Sequence, residues 1–167
     1  MPPTHADSNY KMTYDSLLKY LPAAQLNEYR IYGENEPQAE AIRYGKVIEQ
    51  HTDLEEGLPV FDLIILGLGE DGHTASIFPH QMELLKDAHV CCVAQHPESG
   101  QIRVSLTGKT INRARKVAFL VTGEGKSGRI EEIFKAQGAW ESYPATFIQP
   151  THGELIWYMD KSAASKL

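Results

Sequence analysis

The sequence is poor in cysteine. Only Cys91 and Cys92 occur in 167 residues, side by side in an apolar stretch. Neighbours on a strand point to opposite faces, so these two are badly placed to bridge each other. That excludes a disulfide scaffold and fits a reducing compartment, which we read as the cytoplasm. Long apolar runs are also missing. The longest are residues 60–61 with 63–66, and 117–121. Neither has the length to cross a bilayer. The opening Met-Pro-Pro-Thr-His holds no basic stretch followed by an apolar one, so no secretory signal is read. Positive charge is in deficit, with 16 Lys and Arg against 22 Asp and Glu and a formal net charge of −6. This excludes a general affinity for nucleic acid, but not a local cationic pocket for a small anion. His5, His51, His80, His89, His96 and His152 show no metal-ligand spacing, and no metal site is expected.

What is present is an ordinary globular composition, 42% apolar and 23% charged, which excludes a disordered chain. No linker or internal repeat divides residues 1–167, and a single α/β domain is expected. Asp7-Ser8-Asn9 caps an amphipathic helix over 10–21 that Pro22 stops. A second helix is expected over 38–50. Residues 60–66 form a nearly continuous apolar run, the pattern of a strand buried on both faces in a parallel sheet. A short helix over 73–78 is expected before Pro79. Strands are expected over 90–94, 103–107, 116–121, 146–149 and 154–159, with helices over 110–115 and 127–137. In the last helix Ile130, Ile133 and Phe134 should face inward. The alternation predicts an open, mainly parallel Rossmann-like sheet with helices on both faces.

Two glycine-rich turns follow buried strands. The first is Gly67-Leu68-Gly69-Glu70-Asp71-Gly72. Gly67, Gly69 and Gly72 match the dinucleotide fingerprint G-x-G-x-x-G. Three features speak against a dinucleotide. Pro79 leaves too short a helix to face a pyrophosphate, and Glu70 and Asp71 would stand beside its phosphates. No acidic residue ends a second strand about 20 residues on, where the chain reads Val93-Ala94-Gln95-His96. The same turn places Asp71 and His73 beyond the carboxyl end of a strand, where open α/β sheets bind ligands. A carboxylate beside an imidazole orients it and makes it a general base. Two readings of this pair stand on the residues alone: an acid/base pair, or an aspartate cap with a surface histidine. The second turn, Thr122-Gly123-Glu124-Gly125-Lys126-Ser127, brings backbone N–H groups, a helix start and a lysine together, which suits a phosphate. Leu120 stands where a Walker A motif needs glycine. Together the turns point to an enzyme acting on a small phosphorylated metabolite.

The stretch Leu66-Gly67-Leu68-Gly69-Glu70-Asp71-Gly72-His73-Thr74-Ala75-Ser76-Ile77-Phe78-Pro79 closely resembles the signature of the 6-phosphogluconolactonases. The resemblance continues through Arg103-Val104-Ser105-Leu106-Thr107, Ile111-Asn112-Arg113-Ala114-Arg115 and Phe119-Leu120-Val121-Thr122-Gly123-Glu124-Gly125-Lys126. It resumes at Pro144-Ala145, Gln149-Pro150 and Gly153-Glu154-Leu155. It implies hydrolysis of 6-phosphogluconolactone in the oxidative pentose phosphate pathway, without metal or organic cofactor. His73 would deprotonate the attacking water and Asp71 would hold its tautomer. Backbone N–H groups of the Gly67, Gly69 and Gly72 turn would stabilise the oxyanion. Arg103 and Lys126 would bind the 6-phosphate. The related glucosamine-6-phosphate deaminases share the Asp-Gly-His turn, but place a relay glutamate five residues after the histidine, where this chain has Phe78.

The family's fold opens with a block carrying a Gly-Gly-Ser phosphate loop and an Asp-Glu-Arg segment, and neither occurs in these 167 residues. The resemblance therefore implies an N-terminally truncated fold, as a fragment, a mis-started frame or a natural truncation. An exposed sheet edge is then expected, covered by self-association. A sugar-phosphate-binding remnant without turnover is the alternative to an active enzyme. The final Ser165-Lys166-Leu167 matches a peroxisomal address, a match that three residues make easily by chance.

Overall fold

The computed structural model describes residues 1–22 and 27–167. Ser8 caps α1, Asn9–Ser16, by accepting the Lys11 N–H. The helix ends sooner than the expected 10–21 because it buries no residue, and a 3₁₀ turn over Leu18–Tyr20 follows. Helix α2, Pro37–His51, starts with proline at its first position and the Glu36 carboxylate on two backbone N–H groups. It lays Ala41 and Ile48 against Val90 and Cys91.

The run expected as one strand over 60–66 is two. β1, Asp53–Glu55, and β2, Leu58–Val60, form an antiparallel hairpin. Glu56 and Gly57 turn it with φ of 52° and 79°, both positive as a two-residue hairpin loop requires. The Phe61 carbonyl then accepts the Arg115 N–H, and β3 spans Ile64–Leu66. β4, Cys91–Gln95, and β5, Ile102–Leu106, make a second antiparallel hairpin. Helix α3, Gly108–Ile111, leads into β6, Lys116–Val121. Helix α4, Ser127–Lys135, and β7, Glu154–Met159, complete the chain. Among the described residues no helix is long and apolar enough to cross a membrane.

β3, β6 and β7 form a parallel sheet in the order β3-β6-β7. One face sends Ile64, Leu66, Val117, Phe119 and Val121 into the main core with Ile77, Phe78, Ile111 and Ile130. The Phe119 and Trp157 rings stack there at 3.9 Å. The other face leaves Ile65, Leu120 and Tyr158 exposed. The open parallel α/β sheet with helices is as expected.

Two further expectations fail locally. Residues 73–78 are not helical: Gly72 and Ala75 have φ of 85° and 50°, and an isolated bridge joins Thr74 to Ile77. Residues 146–149 are not a strand. Pro144 opens a 3₁₀ turn to Phe147, and the Asn112 side chain bonds both the Phe147 carbonyl and the Gln149 N–H. That side chain takes the place of a strand partner. In α4, Ile130 is fully buried, whereas Phe134 is half exposed.

Candidate active site

Because β3 and β6 run parallel and adjacent, the turns after them emerge at the same end of the sheet. Gly67, Gly69, His73 and Lys126 line one cavity of about 360 Å³ there, together with Ile65, Leu66, Leu68 and Ala75. The turn's own bonds shape it. The Gly69 N–H donates to the His73 carbonyl at 2.9 Å, and the Gly72 N–H donates to the Gly69 carbonyl at 3.1 Å. Thr74 Oγ1 donates to the Gly67 carbonyl at 2.9 Å. The amides of Gly69 and Gly72 thus donate within the turn. Glycine at 69 has a different cause: a Cβ would overlap the His73 ring and the Asp71 carboxylate. Gly72 lies outside the cavity lining, beneath the Tyr143 ring.

Asp71 and His73 form a pair. Asp71 Oδ1 accepts the His73 N–H at 3.1 Å and meets its Nδ1 at 2.6 Å. Burial pushes the Asp71 carboxyl up, but these two donors outweigh it and hold it below the ordinary carboxylate range. With Nδ1 committed as a donor, Nε2 keeps the lone pair. Phe78, fully buried, sets its ring 4.7 Å from the imidazole. The Phe78 ring also touches His80 and His96, at 5.9 and 5.3 Å.

Lys126 is mostly buried and stands 3.8 Å from the Glu70 carboxylate. Its loop is a poorer amide cradle than expected. The Gly123 N–H donates to Asp160, the Lys126 N–H to the Gly123 carbonyl and the Ser127 N–H to the Glu124 carbonyl. The ammonium of Lys126 is the cation this loop adds to the cavity. Arg103 is not brought together with it. Arg103 Nε bonds Gln101 Oε1 at 3.2 Å, and the guanidinium lies 5.9 Å from the Phe78 ring centre. It lines a separate cavity of about 550 Å³ with Ser76 and Tyr10.

Sequence reasoning missed the contacts that brace this turn. Arg129 Nε donates to the Glu70 carbonyl at 2.8 Å and Nη1 to Glu132 at 3.1 Å. The Tyr143 hydroxyl donates to the same Glu132 carboxylate. Helical spacing from Lys126 puts Arg129 on the same side of α4 and was the available signal. Tyr143 is remote in the chain and gave no signal.

The family "Glucosamine-6-phosphate isomerases/6-phosphogluconolactonase" matches residues 1–157. A 6-phosphogluconolactonase of Aggregatibacter actinomycetemcomitans is 42% identical over 165 residues, covering 99% of this chain and 69% of that protein. The crystal structure of devB protein aligns with a TM-score of 0.93 at 44% identity, over all of this chain and 70% of the other. The 6-phosphogluconolactonase structure from Trypanosoma brucei aligns with a TM-score of 0.82 at 30% identity, again over 70% of that chain.

Proposed function

Because this chain belongs to the glucosamine-6-phosphate isomerase/6-phosphogluconolactonase family, we propose that it hydrolyses 6-phosphogluconolactone to 6-phosphogluconate with His73 as general base. The observation that carries the assignment of roles is the 2.6 Å Asp71–His73 contact at a cavity that Lys126 also lines. His73 Nε2 takes a proton from water as the water oxygen attacks the lactone carbonyl. The same proton passes to the ring oxygen as the ester bond breaks. Asp71 fixes the tautomer and stabilises the imidazolium that forms. Lys126 holds the 6-phosphate, a charge-assisted contact that orients the lactone at a distance from the reacting carbon. Arg103 is the second phosphate ligand of this reading; its Nε bonds Gln101, and it lines the cavity beside the one that Lys126 lines. Phe78 against the imidazole leaves no place for a relay carboxylate at that position, which favours lactone hydrolysis over deamination.

The buried free thiols of Cys91 and Cys92, both pushed up to about 12 by burial, favour a reducing compartment such as the cytoplasm. The exposed sheet face favours self-association. The deciding experiment is lactone hydrolysis followed by acid release. His73→Ala is expected to lower the enzymatic rate by about 10²–10⁴-fold. If both proteins match the spontaneous rate yet bind 6-phosphogluconate, the chain is a binding module and the catalytic assignment fails.

A further inference from the structure

Asp71 has both its chain neighbours pinned from outside the turn. Before it, the Glu70 carbonyl accepts Arg129 Nε at 2.8 Å. After it, the Gly72 carbonyl accepts the Ala145 N–H at 3.2 Å. Gly72 also lies so tightly under Tyr143 that a Cβ would come within 2.5 Å of the ring. The two clamps are joined. Glu132 Oε2 accepts both Arg129 Nη1 and the Tyr143 hydroxyl, and the Arg129 guanidinium lies 5.0 Å over the Tyr143 ring. One polar chain, Arg129–Glu132–Tyr143, thus grips the main chain on both sides of Asp71.

None of the three lines the cavity that holds His73 and Lys126. An Arg–Glu pair on a helix surface needs no third partner. Here the guanidinium reaches instead to a carbonyl 59 residues earlier in the chain, a charge-assisted bond to the backbone of the catalytic turn. Lys126 stands at the N-terminal end of the same helix, α4. The base and the phosphate-binding cation are therefore referenced to one rigid element.

We propose that Arg129, held by Glu132 and Tyr143, is a positioning residue for the reaction. It holds residues 70–72 so that the locally formed Asp71–His73 pair is aimed into the cavity, and it ties that pair to the helix that presents Lys126. The proposal rests on the lactonase assignment above. A misplacement of about 1 Å at a catalytic group costs on the order of 10²-fold, and losing one of two clamps is expected to cost roughly tenfold.

The test uses the full chain with Arg129→Ala, Arg129→Lys and Tyr143→Phe. Arg129→Ala is expected to lower kcat about tenfold with KM within about twofold, because the phosphate contact is retained. Tyr143→Phe is expected to give a smaller kcat loss, and the double variant no more loss than Arg129→Ala alone. If Arg129→Ala fails to fold, Arg129→Lys decides. Lysine keeps the charge but lacks the fork that bonds a carbonyl and a carboxylate together, so the kcat loss should persist. Wild-type kcat in the folded variant overturns the proposal. So does a raised KM with unchanged kcat, which would make Arg129 a phosphate ligand. Amide resonances of Asp71, Gly72 and His73 give a readout independent of turnover. They should shift in Arg129→Ala even if the wild type proves inactive, and unshifted resonances overturn the clamp.

Discussion

An aspartate two residues before a histidine closes readily onto that residue's N–H and ring. The chain does this twice. Asp87 Oδ1 accepts the His89 N–H at 2.9 Å and meets Nδ1 at 2.7 Å, nearly the geometry of Asp71 and His73. His89 is four-fifths exposed in an open loop, whereas His73 packs on Phe78 and lines a cavity with Lys126. The pair is thus a product of local chain geometry, and its surroundings give it chemistry. Asp71→Asn should lower kcat by on the order of 10²-fold with little effect on KM, because the imidazolium loses its counter-charge. Asp87→Asn should leave both constants unchanged; equal losses in the two variants would place the effect in general electrostatics. The Asp71 carboxyl is held below its ordinary range by the His73 N–H and ring donors, so the pair keeps its counter-charge at neutral pH.

At the scale of elements, α2 is fastened by a buried carboxylate. Glu40 is 1% exposed and accepts Arg43 at 2.6 Å, the Tyr32 N–H at 2.7 Å and Asn35 at 3.0 Å. Burial pushes its carboxyl up, but these donors outweigh it and leave it below the ordinary range. Glu40→Gln should cost about 2–3 kcal/mol, read from the urea midpoint at neutral pH. The sign of the pH dependence follows from a depressed folded value. The stabilisation is complete above the unfolded value of about 4.3 and disappears as pH falls through the lower folded one. Wild type and variant should therefore converge as pH falls through the acidic range, and a gap that does not change with pH would rule out the charge as its source. Much of this level was legible in the sequence. The Ser8 cap, α2, β6 and β7 follow from local periodicity and capping, and both turns of the candidate site from the glycines after buried strands. The failures share a cause. Residues 60–66 divide because Phe61 bonds Arg115 from a distant turn, and 146–149 bond the Asn112 side chain in place of a strand. Residues 73–78 leave the helix because Gly72 and Ala75 turn left-handed. Partners remote in sequence, and backbone forced by the site, are invisible to a local pattern. Arg103 shows the same limit: its position on β5 was clear, but not that it lies in a different cavity from Lys126.

At the scale of the whole molecule, the parallel sheet poses an unbalanced surface. Parallel sheets are ordinarily covered on both faces. Here Ile65, Leu120 and Tyr158 are 60%, 50% and 56% exposed on one side, and Leu63 beside β3 is 48% exposed. Among the described residues, β3 pairs only with β6, so its other edge offers free backbone groups. Apolar area of this kind drives association, whereas the net charge of −6 opposes it by self-repulsion. The two terms respond oppositely to salt. Screening weakens the repulsion and leaves apolar contact intact. Sedimentation velocity should therefore show association that rises with protein concentration and strengthens between about 0.05 and 0.5 M salt. Ile65→Lys combined with Leu120→Lys should hold the chain monomeric while changing stability by no more than about 1 kcal/mol, because both positions already face solvent. Association that weakens with salt would assign the contact to ion pairs instead. A monomer at every concentration would show that this chain tolerates the exposed face alone.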